Sequence, residues 1–337
     1  MWVIVPVGLV ERLKDPMTKK TPMFQVILYY KFSPIPDPQA FCLEHKALCQ
    51  SLNLMGRVYI AAEGINGTLA GKTEDIQKYK NALQAINGFA DTEFKADDYD
   101  HIPFVKLIVK VRPEIVALKS DFDFNLQNGG VHLSPEEWKE KLESKEDFVL
   151  LDVRNRYETR IGHFDGAICP DVENFYDFPQ WLDEAGIPKD KKIMMYCTGG
   201  IRCEKFSVYM KEKGFNDIYQ LHGGIVNYAK KVGDAHYRGK CFVFDDRLAV
   251  DIEKEQSEPL AQCAITGAPC DTYLNCANPD CNKLFICSEQ GARVMEGCCS
   301  EACRSSNRRK PFNPQNIYEP TRKWYHYFDQ KRRPQQV

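Results

Sequence analysis

The feature that most constrains the fold is an apolar run that ends in a cysteine and leads at once into a helical pattern. Residues 191 to 203 read KKIMMYCTGGIRC, and the chain continues as EKFSVYM. The adjacent glycines Gly199 and Gly200 allow the backbone to curl so that several N–H groups point at one sulfur atom. The N-terminus of the following helix adds positive potential. This order predicts a buried strand, a tight anion-binding loop and a helix.

Cys197, at the start of this loop, is the leading candidate for a nucleophile. Loop amides and a helix N-terminus lower a cysteine pKa from about 8.5 by one to several units, so we expect a thiolate near neutral pH. The expected anion cradle consists of Thr198, Gly199, Gly200 and Ile201, and it can also hold an anion on the sulfur, such as a persulfide. A buried structural cysteine is the alternative, which the glycines, the arginine and the helix disfavour.

The arginine that opens the helix, Arg202, favours sulfur chemistry over phosphate chemistry. Four residues separate Cys197 from Arg202, one fewer than in a tyrosine-phosphatase-type loop, and the tighter ring suits a sulfur atom. Arg202 is expected to stabilise a developing anion. Cys203, the next residue, is either a resolving thiol that forms a disulfide with Cys197 or accepts its sulfur, or a small apolar residue in the helix–sheet packing. We favour packing.

A second apolar run, residues 148 to 154, reads FVLLDVR and predicts a buried parallel strand that ends in Asp152 and Arg154. The stretch Tyr157-Glu158 and the turn GHFDGAI at residues 162 to 168 follow.

The D-V-R strand end, the glutamate, the G-H-x-x-G-A turn and the C-x-x-G-x-R loop together resemble a rhodanese domain over residues 134 to 235. The resemblance implies a rhodanese-like α/β domain with a parallel sheet, in which Cys197 carries the persulfide. Asp152 and Arg154 are catalytic candidates because open α/β sheets place their sites at the C-terminal ends of strands. Capping and an internal ion pair are their alternative roles.

Composition indicates a multidomain α/β protein. The chain has 337 residues, 43% hydrophobic and 27% charged, with a formal net charge of −2, which argues against a wholly basic nucleic-acid-binding protein. Residues 1 to 22 are expected to be an extension, since their apolar start is short, lacks a basic region and contains Pro6 and Gly8. No membrane association is predicted. We expect a cytoplasmic protein, whose 14 cysteines are reactive or metal-binding before disulfide-bonded.

The first domain, residues 23 to 115, is predicted to be a ferredoxin-like (acylphosphatase-like) α+β sandwich. The predicted elements alternate as β-α-β-β-α-β. They are strands at residues 24 to 32, 56 to 62, 68 to 71 and 105 to 111, and helices at residues 37 to 52 and 73 to 86. Asn66-Gly67 is interpreted as a turn between two of the strands. No catalytic constellation occurs in this domain, so we expect it to have a binding role and not a catalytic one.

A small Cys-rich module is predicted at residues 236 to 305. It contains eight cysteines, namely Cys263, Cys270, Cys276, Cys281, Cys287, Cys298, Cys299 and Cys303. Such density in a reducing compartment favours structural zinc held by thiolates. The knuckle-like spacings select Cys276, Cys281, Cys299 and Cys303 as ligands. Loose reduced thiols, or disulfides formed on oxidation, remain the alternative.

A basic tail with aromatic residues, residues 306 to 337, closes the chain. Basic residues contact phosphates and aromatic rings stack on unpaired bases, so this tail predicts RNA binding. The candidate residues are Arg308, Arg309, Lys310, Arg322, Lys323 and Trp324. A solvated tail is the usual alternative.

Three further stretches narrow the family. They are EGINGT at residues 63 to 68, GKCFVFD at residues 239 to 245 and GCCSEAC at residues 297 to 303. With the Cys197 loop, they resemble the rhodanese-containing tRNA uridine hydroxylases, which form 5-hydroxyuridine at the wobble position of tRNA in an oxygen-dependent reaction. The resemblance implies tRNA as partner, molecular oxygen as co-substrate and Cys197 as the essential cysteine. Thr266 and Gln290 replace the second cysteines of two C-x-x-C pairs of that family.

Neither a nucleotide cofactor nor an iron site is evident in the sequence. No dinucleotide fingerprint and no arrangement of two histidines and one carboxylate is found. As a hypothesis, the thiolate or its persulfide takes part directly, by adding to the uracil ring or by activating oxygen. Two other functions stay open, a sulfurtransferase supplied by a sulfur donor and a non-enzymatic RNA-binding protein. The tail and the extra domains disfavour the former, and the intact loop disfavours the latter.

Overall fold

The computed structural model describes residues 23–120, 122, 124–252 and 258–318. The predicted N-terminal extension and the tail candidates Arg322, Lys323 and Trp324 lie outside the described residues. Within these residues, no helix combines the length and the apolar character needed to span a membrane.

The first domain is a five-stranded sheet with two helices on one face, which confirms the ferredoxin-like prediction. Its elements are β1 (Phe24–Phe32), α1 (Pro38–Ser51), β2 (Met55–Ala61), β3 (Gly64–Lys72), α2 (Thr73–Gln84), β4 (Phe94–Tyr99) and β5 (Leu107–Val111). The strand order is β4-β1-β3-β2-β5, with β5 parallel to β2 and the other neighbours antiparallel. Asp37 caps α1 by accepting from the amides of Gln39 and Ala40.

Two details of this domain differ from the sequence prediction. The Asn66-Gly67 turn is wrong, because both residues lie within β3. Gly67 is needed there for space, since a Cβ at that position would lie 2.4 Å from the hydroxyl of Tyr29. Strand β4 was not predicted, because its sequence FKADDY carries the polar residues of a sheet edge.

The second domain is a four-stranded parallel sheet flanked by helices, as predicted. Its elements are β6 (Val131–Leu133), α3 (Pro135–Glu143), β7 (Val149–Asp152), α4 (Arg156–Thr159), β8 (Gly162–Phe164), α5 (Phe178–Glu184), β9 (Ile193–Tyr196), α6 (Ile201–Glu212), β10 (Ile218–Leu221) and α7 (Gly224–Lys231). The strand order is β6-β10-β9-β7, with the fully buried β9 in the interior. Cys197 therefore directly follows the C-terminal end of a central strand, where sheets of this type place their binding and active sites.

The C-terminal part joins the second domain through a small antiparallel sheet of order β12-β11-β8. Its elements are β11 (Tyr237–Phe242), β12 (Ala249–Asp251), β13 (Tyr273–Asn275), β14 (Leu284–Ile286), α8 (Glu289–Val294) and α9 (Glu301–Arg304). A separate core there includes six buried cysteines packed with Tyr273 and Phe285. Short elements around cysteine side chains indicate a module that cannot bury a large apolar core by itself.

Candidate active site

Cys197 lies at the start of a loop that closes around its sulfur. The amide of Gly200 donates to Sγ of Cys197 at 3.1 Å, and the amide of Arg202 donates to the same atom. Gly200 has a φ of 103°, which glycine adopts far more readily than other residues, and α6 then begins at Ile201. Since Cys197 is buried, backbone N–H groups replace water around its sulfur.

These surroundings make Cys197 a thiolate at neutral pH. Burial raises the pKa of Cys197, but the hydrogen bond from the Cys203 thiol, the charge of Arg202 and the loop amides together lower it to about 5. Burial and the neighbouring thiolate raise the pKa of Cys203, so Cys203 stays protonated and can donate. Cys203 also packs in the apolar core beneath the loop. Cys203 therefore has two roles, packing in the core and donating a hydrogen bond to Cys197, and the sequence did not indicate the second.

The guanidinium group of Arg202 is held by Glu158 and does not project freely toward a substrate. Nη1 and Nη2 of Arg202 donate to the two carboxylate oxygens of Glu158 at 2.5 and 2.7 Å. Thr198 also donates to this carboxylate, at 3.2 Å, and Glu158 is itself fixed by the amide of Asn155. Glu158 is therefore a residue of the site that sequence analysis noted in a motif without assigning it a role.

Asp152 and Arg154 form a fully buried ion pair. Nε and Nη2 of Arg154 donate to the carboxylate of Asp152 at 2.8 and 2.6 Å, and Nη2 also donates to the carbonyl of Gly162. Neither side chain lines the cavity above Cys197. This geometry supports the alternative role, an internal ion pair, over the predicted catalytic role.

Glu204 and Lys205, in the first turn of α6, connect the loop to the rest of the molecule although both are charged and buried. Glu204 accepts hydrogen bonds from Tyr30 at 2.9 Å and from Gln220 at 3.0 Å, and its pKa stays low despite burial because of His132 and these donors. The ammonium group of Lys205 pairs with two carboxylates of the first domain and the following segment. They are Glu63 at 2.9 Å and Glu114 at 2.6 Å.

The first domain covers the Cys197 loop with the sheet face that carries Leu28 and Tyr30, here called the roof. Leu28 contacts Gly199 so closely that a Cβ on this glycine would lie 2.7 Å from Leu28 Cδ2. The hydroxyl of Tyr30 would similarly lie 2.9 Å from a Cβ on Gly200. The two loop glycines are thus required by the neighbouring domain as well as by the backbone turn.

Between roof and loop lies a cavity of about 820 Å³ whose walls come from all three parts of the chain. The lining includes Cys197 and, among the charged groups, seven basic and four acidic side chains. The basic residues are Arg57, Lys95, Arg112, Lys119, Arg202, Lys230 and Arg247, and the acidic residues are Asp97, Glu114, Asp245 and Asp251. The rings of Tyr30, Tyr59 and Phe244 also line it. This cavity suits an anionic ligand with an aromatic ring.

Lys95, on β4, lines the same cavity as Cys197. It is paired with Leu28 across β1 and β4, and its ammonium group lies 5.1 Å from the centre of the Tyr30 ring. Burial lowers the pKa of Lys95, while the charges of Glu93 and Cys197 oppose that effect. Sequence analysis missed Lys95, because nothing local to β4 relates it to Cys197.

Four cysteines of the C-terminal module converge on one point. The sulfur atoms of Cys276, Cys281, Cys299 and Cys303 all lie within 4.8 Å of one another. The distance from Cys281 to Cys299 is 3.6 Å, and that from Cys299 to Cys303 is 3.9 Å. These are the four residues selected from the sequence spacing. Cys263 is placed apart, where its sulfur accepts from Thr266 and Ser288.

Arg308, Arg309 and Lys310, which the sequence predicts to bind RNA, make contacts within the protein. Arg308 pairs with Asp280 at 2.5 Å, and Arg309 pairs with Glu296. Lys310 is buried, and its pKa is lowered by that burial. Their charges are used within the Cys-rich module, which the local sequence could not reveal because both acidic partners lie earlier in the chain.

Comparison with known families divides the chain into three matching segments. Residues 24–115 match the UPF0176 acylphosphatase like domain. Residues 134–231 match the rhodanese-like domain, and residues 238–304 match the rhodanase C-terminal family.

Whole-length relatives carry one shared name. A protein of Enterococcus faecalis named tRNA uridine(34) hydroxylase is 45% identical, with the match covering 88% of this chain and 95% of that protein. Proteins of the same name from Protochlamydia amoebophila and Bacillus pumilus are 42% and 43% identical, covering 91% and 88% of this chain and 96% and 93% of their own. This chain belongs to the tRNA uridine(34) hydroxylase family. The family resemblance stated from the sequence motifs is thereby confirmed.

In this family member, replacing Cys203 with alanine is expected to raise the pKa of Cys197, because the thiolate loses a donor. Cys203→Ser keeps a donor and should restore most of the shift. The measurement is the pH dependence of iodoacetamide alkylation, followed by mass spectrometry of the peptide that contains Cys197. Wild-type alkylation should follow an apparent pKa near 5. A profile that is the same in wild type and Cys203→Ala would contradict this role.

Proposed function

We propose that this chain hydroxylates the wobble uridine of tRNA at carbon 5, with molecular oxygen as co-substrate and Cys197 as the reacting group. The relatives' name, tRNA uridine(34) hydroxylase, supports the substrate and the reaction. The observation that carries the residue assignment is the Cys197 thiolate in a cavity with basic and aromatic walls. A tRNA substrate implies a reaction in the cytoplasm.

The cavity suits a single nucleotide that has left its stack. Enzymes that modify a base inside RNA or DNA take the nucleotide into a pocket, and this costs least where the base is already unpaired. A wobble base lies in a single-stranded loop, and such loops are where proteins read RNA bases. A volume of about 820 Å³ lies within the usual range of ligand pockets.

The reacting sulfur is ionised by its surroundings, namely the Cys203 thiol, the charge of Arg202 and the loop amides, and not by a general base. Because its pKa is about 5, Cys197 is already ionised at neutral pH and needs no neighbouring base to remove its proton. The thiolate, or a persulfide formed on it, adds to the uracil ring or activates oxygen. The amides of Gly200 and Arg202 stabilise charge on this sulfur. The Arg202 guanidinium acts through its field and by keeping the loop closed, since Glu158 occupies its hydrogen bonds.

The reaction needs two electrons and two protons besides oxygen. One oxygen atom replaces the hydrogen on carbon 5 as a hydroxyl group, and the other leaves as water. Two thiol groups that are oxidised to a disulfide, or another two-electron reductant, supply these electrons and protons. A plain sulfurtransferase would use the same loop with a sulfur donor, but it does not require a roof of basic and aromatic residues over the sulfur. That roof favours hydroxylation of a nucleotide.

We also propose that Cys276, Cys281, Cys299 and Cys303 hold a structural zinc ion. Zinc–sulfur bonds of about 2.3 Å in a tetrahedron place sulfur atoms about 3.8 Å apart, which agrees with the distances of 3.6 and 3.9 Å. The donor set fits zinc, whose thiolate sites in proteins are typically structural. The ion would replace a large apolar core in stabilising this module.

Removal of this metal is expected to unfold the C-terminal module. Inductively coupled plasma mass spectrometry should find about one zinc ion per chain in the purified wild-type protein. The Cys281→Ser protein should contain no zinc. Cys263→Ser is the matched control, since Cys263 lies outside the cluster, and it should keep the zinc. Equal zinc content in Cys281→Ser and wild type would contradict the assignment.

Replacing Cys197 with serine is expected to abolish 5-hydroxyuridine formation, because a serine hydroxyl is neither ionised nor able to carry sulfur. The measurement is mass spectrometry of tRNA nucleosides from cells that lack the gene, complemented with wild type, Cys197→Ser or Cys42→Ser. Cys42 lies on α1 outside the cavity, so its variant should restore the nucleoside fully.

Binding of tRNA to the Cys197→Ser protein is expected to stay close to wild type. Equal loss of binding and of modification would remove the catalytic role. A fall in a thiolated nucleoside, with 5-hydroxyuridine unchanged, would identify a sulfur donor instead.

A further inference from the structure

We propose that the open face of the first domain's sheet holds the target nucleotide, with the Tyr59 ring and the Arg112 guanidinium as the platform on which its unpaired base stacks. This inference rests on the proposed function and assigns the first domain a direct role in the site. It identifies the ligand as an unpaired pyrimidine nucleotide of an RNA.

The strand register puts one set of polar and aromatic residues on the open face. Tyr59 on β2 is paired with Asn66 on β3, and Asn66 is paired with Tyr30 on β1. Paired residues share a face of the sheet. The residues between them, such as Val58 and Ile65, point to the opposite face and form the core with the two helices. The face that carries Tyr59 therefore turns toward the second domain and lines the cavity.

The guanidinium group of Arg112 already lies over the Tyr59 ring. The guanidinium carbon of Arg112 lies 5.2 Å from the centre of the Tyr59 ring, a cation–π arrangement. Tyr59 is half-buried and Arg112 is exposed. Planar rings and guanidinium groups are the surfaces on which proteins stack unpaired bases. A four-stranded sheet with aromatic residues on its open face is a known way of binding single-stranded RNA.

Charge on this face also favours RNA. Each acidic residue of the cavity wall has a cationic partner. Asp97 and Asp245 pair with Arg247, and Asp97 also lies near Lys230. Glu114 pairs with Lys205, and Asp251 pairs with Lys240. Among the described residues, no carboxylate forms an ion pair with Arg57 or Arg112, which flank Tyr59. Two uncompensated guanidinium groups beside an aromatic ring fit a base and its phosphate.

The platform and the reactive sulfur share one cavity. Tyr59, Arg112 and Cys197 all contribute to its lining. A base held on the platform therefore enters the space that the thiolate faces, while phosphates can contact Arg57 at the exposed edge. A surface that only docks a sulfur-carrying protein would not need Tyr59 and Arg112 to share a cavity with Cys197. The observations favour a nucleotide.

The test measures binding of a short anticodon stem-loop RNA, with uridine at the wobble position, to full-length Cys197→Ser protein by fluorescence anisotropy. In this background Tyr59→Ala should weaken binding about tenfold or more, and Tyr59→Phe should stay within about twofold of the parent. Tyr219→Ala is the matched control, because Tyr219 carries a similar cation, Lys192, at 5.7 Å but lies outside the cavity. It should also stay within about twofold.

Arg112 provides a second variant that does not disturb the core. Arg112→Ala should weaken binding, and Arg112→Lys should recover the salt dependence without recovering the full affinity, because lysine keeps the charge and lacks the planar stack. Wild-type affinity in both Tyr59→Ala and Arg112→Ala would overturn the platform. Because binding is measured without catalysis, the result does not depend on hydroxylation, whose absence in wild type would instead refute the proposed function.

Discussion

The first turn of α6 is the physical link on which the site depends. Its four consecutive buried residues each hold a different part of the molecule: Arg202 holds Glu158, Cys203 donates to Cys197, Glu204 accepts from Tyr30, and Lys205 pairs with Glu63 and Glu114. An unpaired buried charge is costly, so the partners of Arg202, Glu204 and Lys205 stabilise these buried charges. The turn thereby fixes the reactive sulfur, the loop around it and the domain above it in one arrangement.

This arrangement explains why a rhodanese-like loop is combined with a ferredoxin-like domain. The loop alone supplies an ionised sulfur, held by amides and a helix N-terminus. The open sheet face supplies Lys95, Tyr59 and Arg112 around the same cavity. In the proposed function, chemistry and recognition therefore come from separate domains. The contact of Leu28 with Gly199 leaves no room for a side chain between these domains. The third part contributes Phe244 to the cavity wall, and its four converging cysteines are the proposed zinc ligands.

Sequence predicted those features that local chemistry determines. The strand, the glycine pair and the helix identify Cys197 and Arg202, and cysteine spacing selects the four sulfurs that converge. Contacts between distant segments were not predictable. Lys205 looks like a surface residue of a polar helix, and Lys95 lies in an edge strand with no apolar alternation. Asn66-Gly67 has the composition of a turn, yet packing against Tyr29 requires Gly67 inside a strand. Residues 308 to 310 have the sequence of a phosphate-binding run, but Arg308 and Arg309 pair with Asp280 and Glu296, which lie earlier in the chain.

In the proposed complex, the wobble base occupies the cavity between the sheet face and the Cys197 loop. The most direct test of this placement is photocrosslinking of an anticodon stem-loop that carries 4-thiouridine at the wobble position, followed by mass spectrometry of the crosslinked peptides. We expect crosslinks to peptides that contain Tyr59, Arg112 or the loop from Cys197 to Arg202. Crosslinks confined to residues 258 to 318, none of which lines the cavity, would contradict this placement.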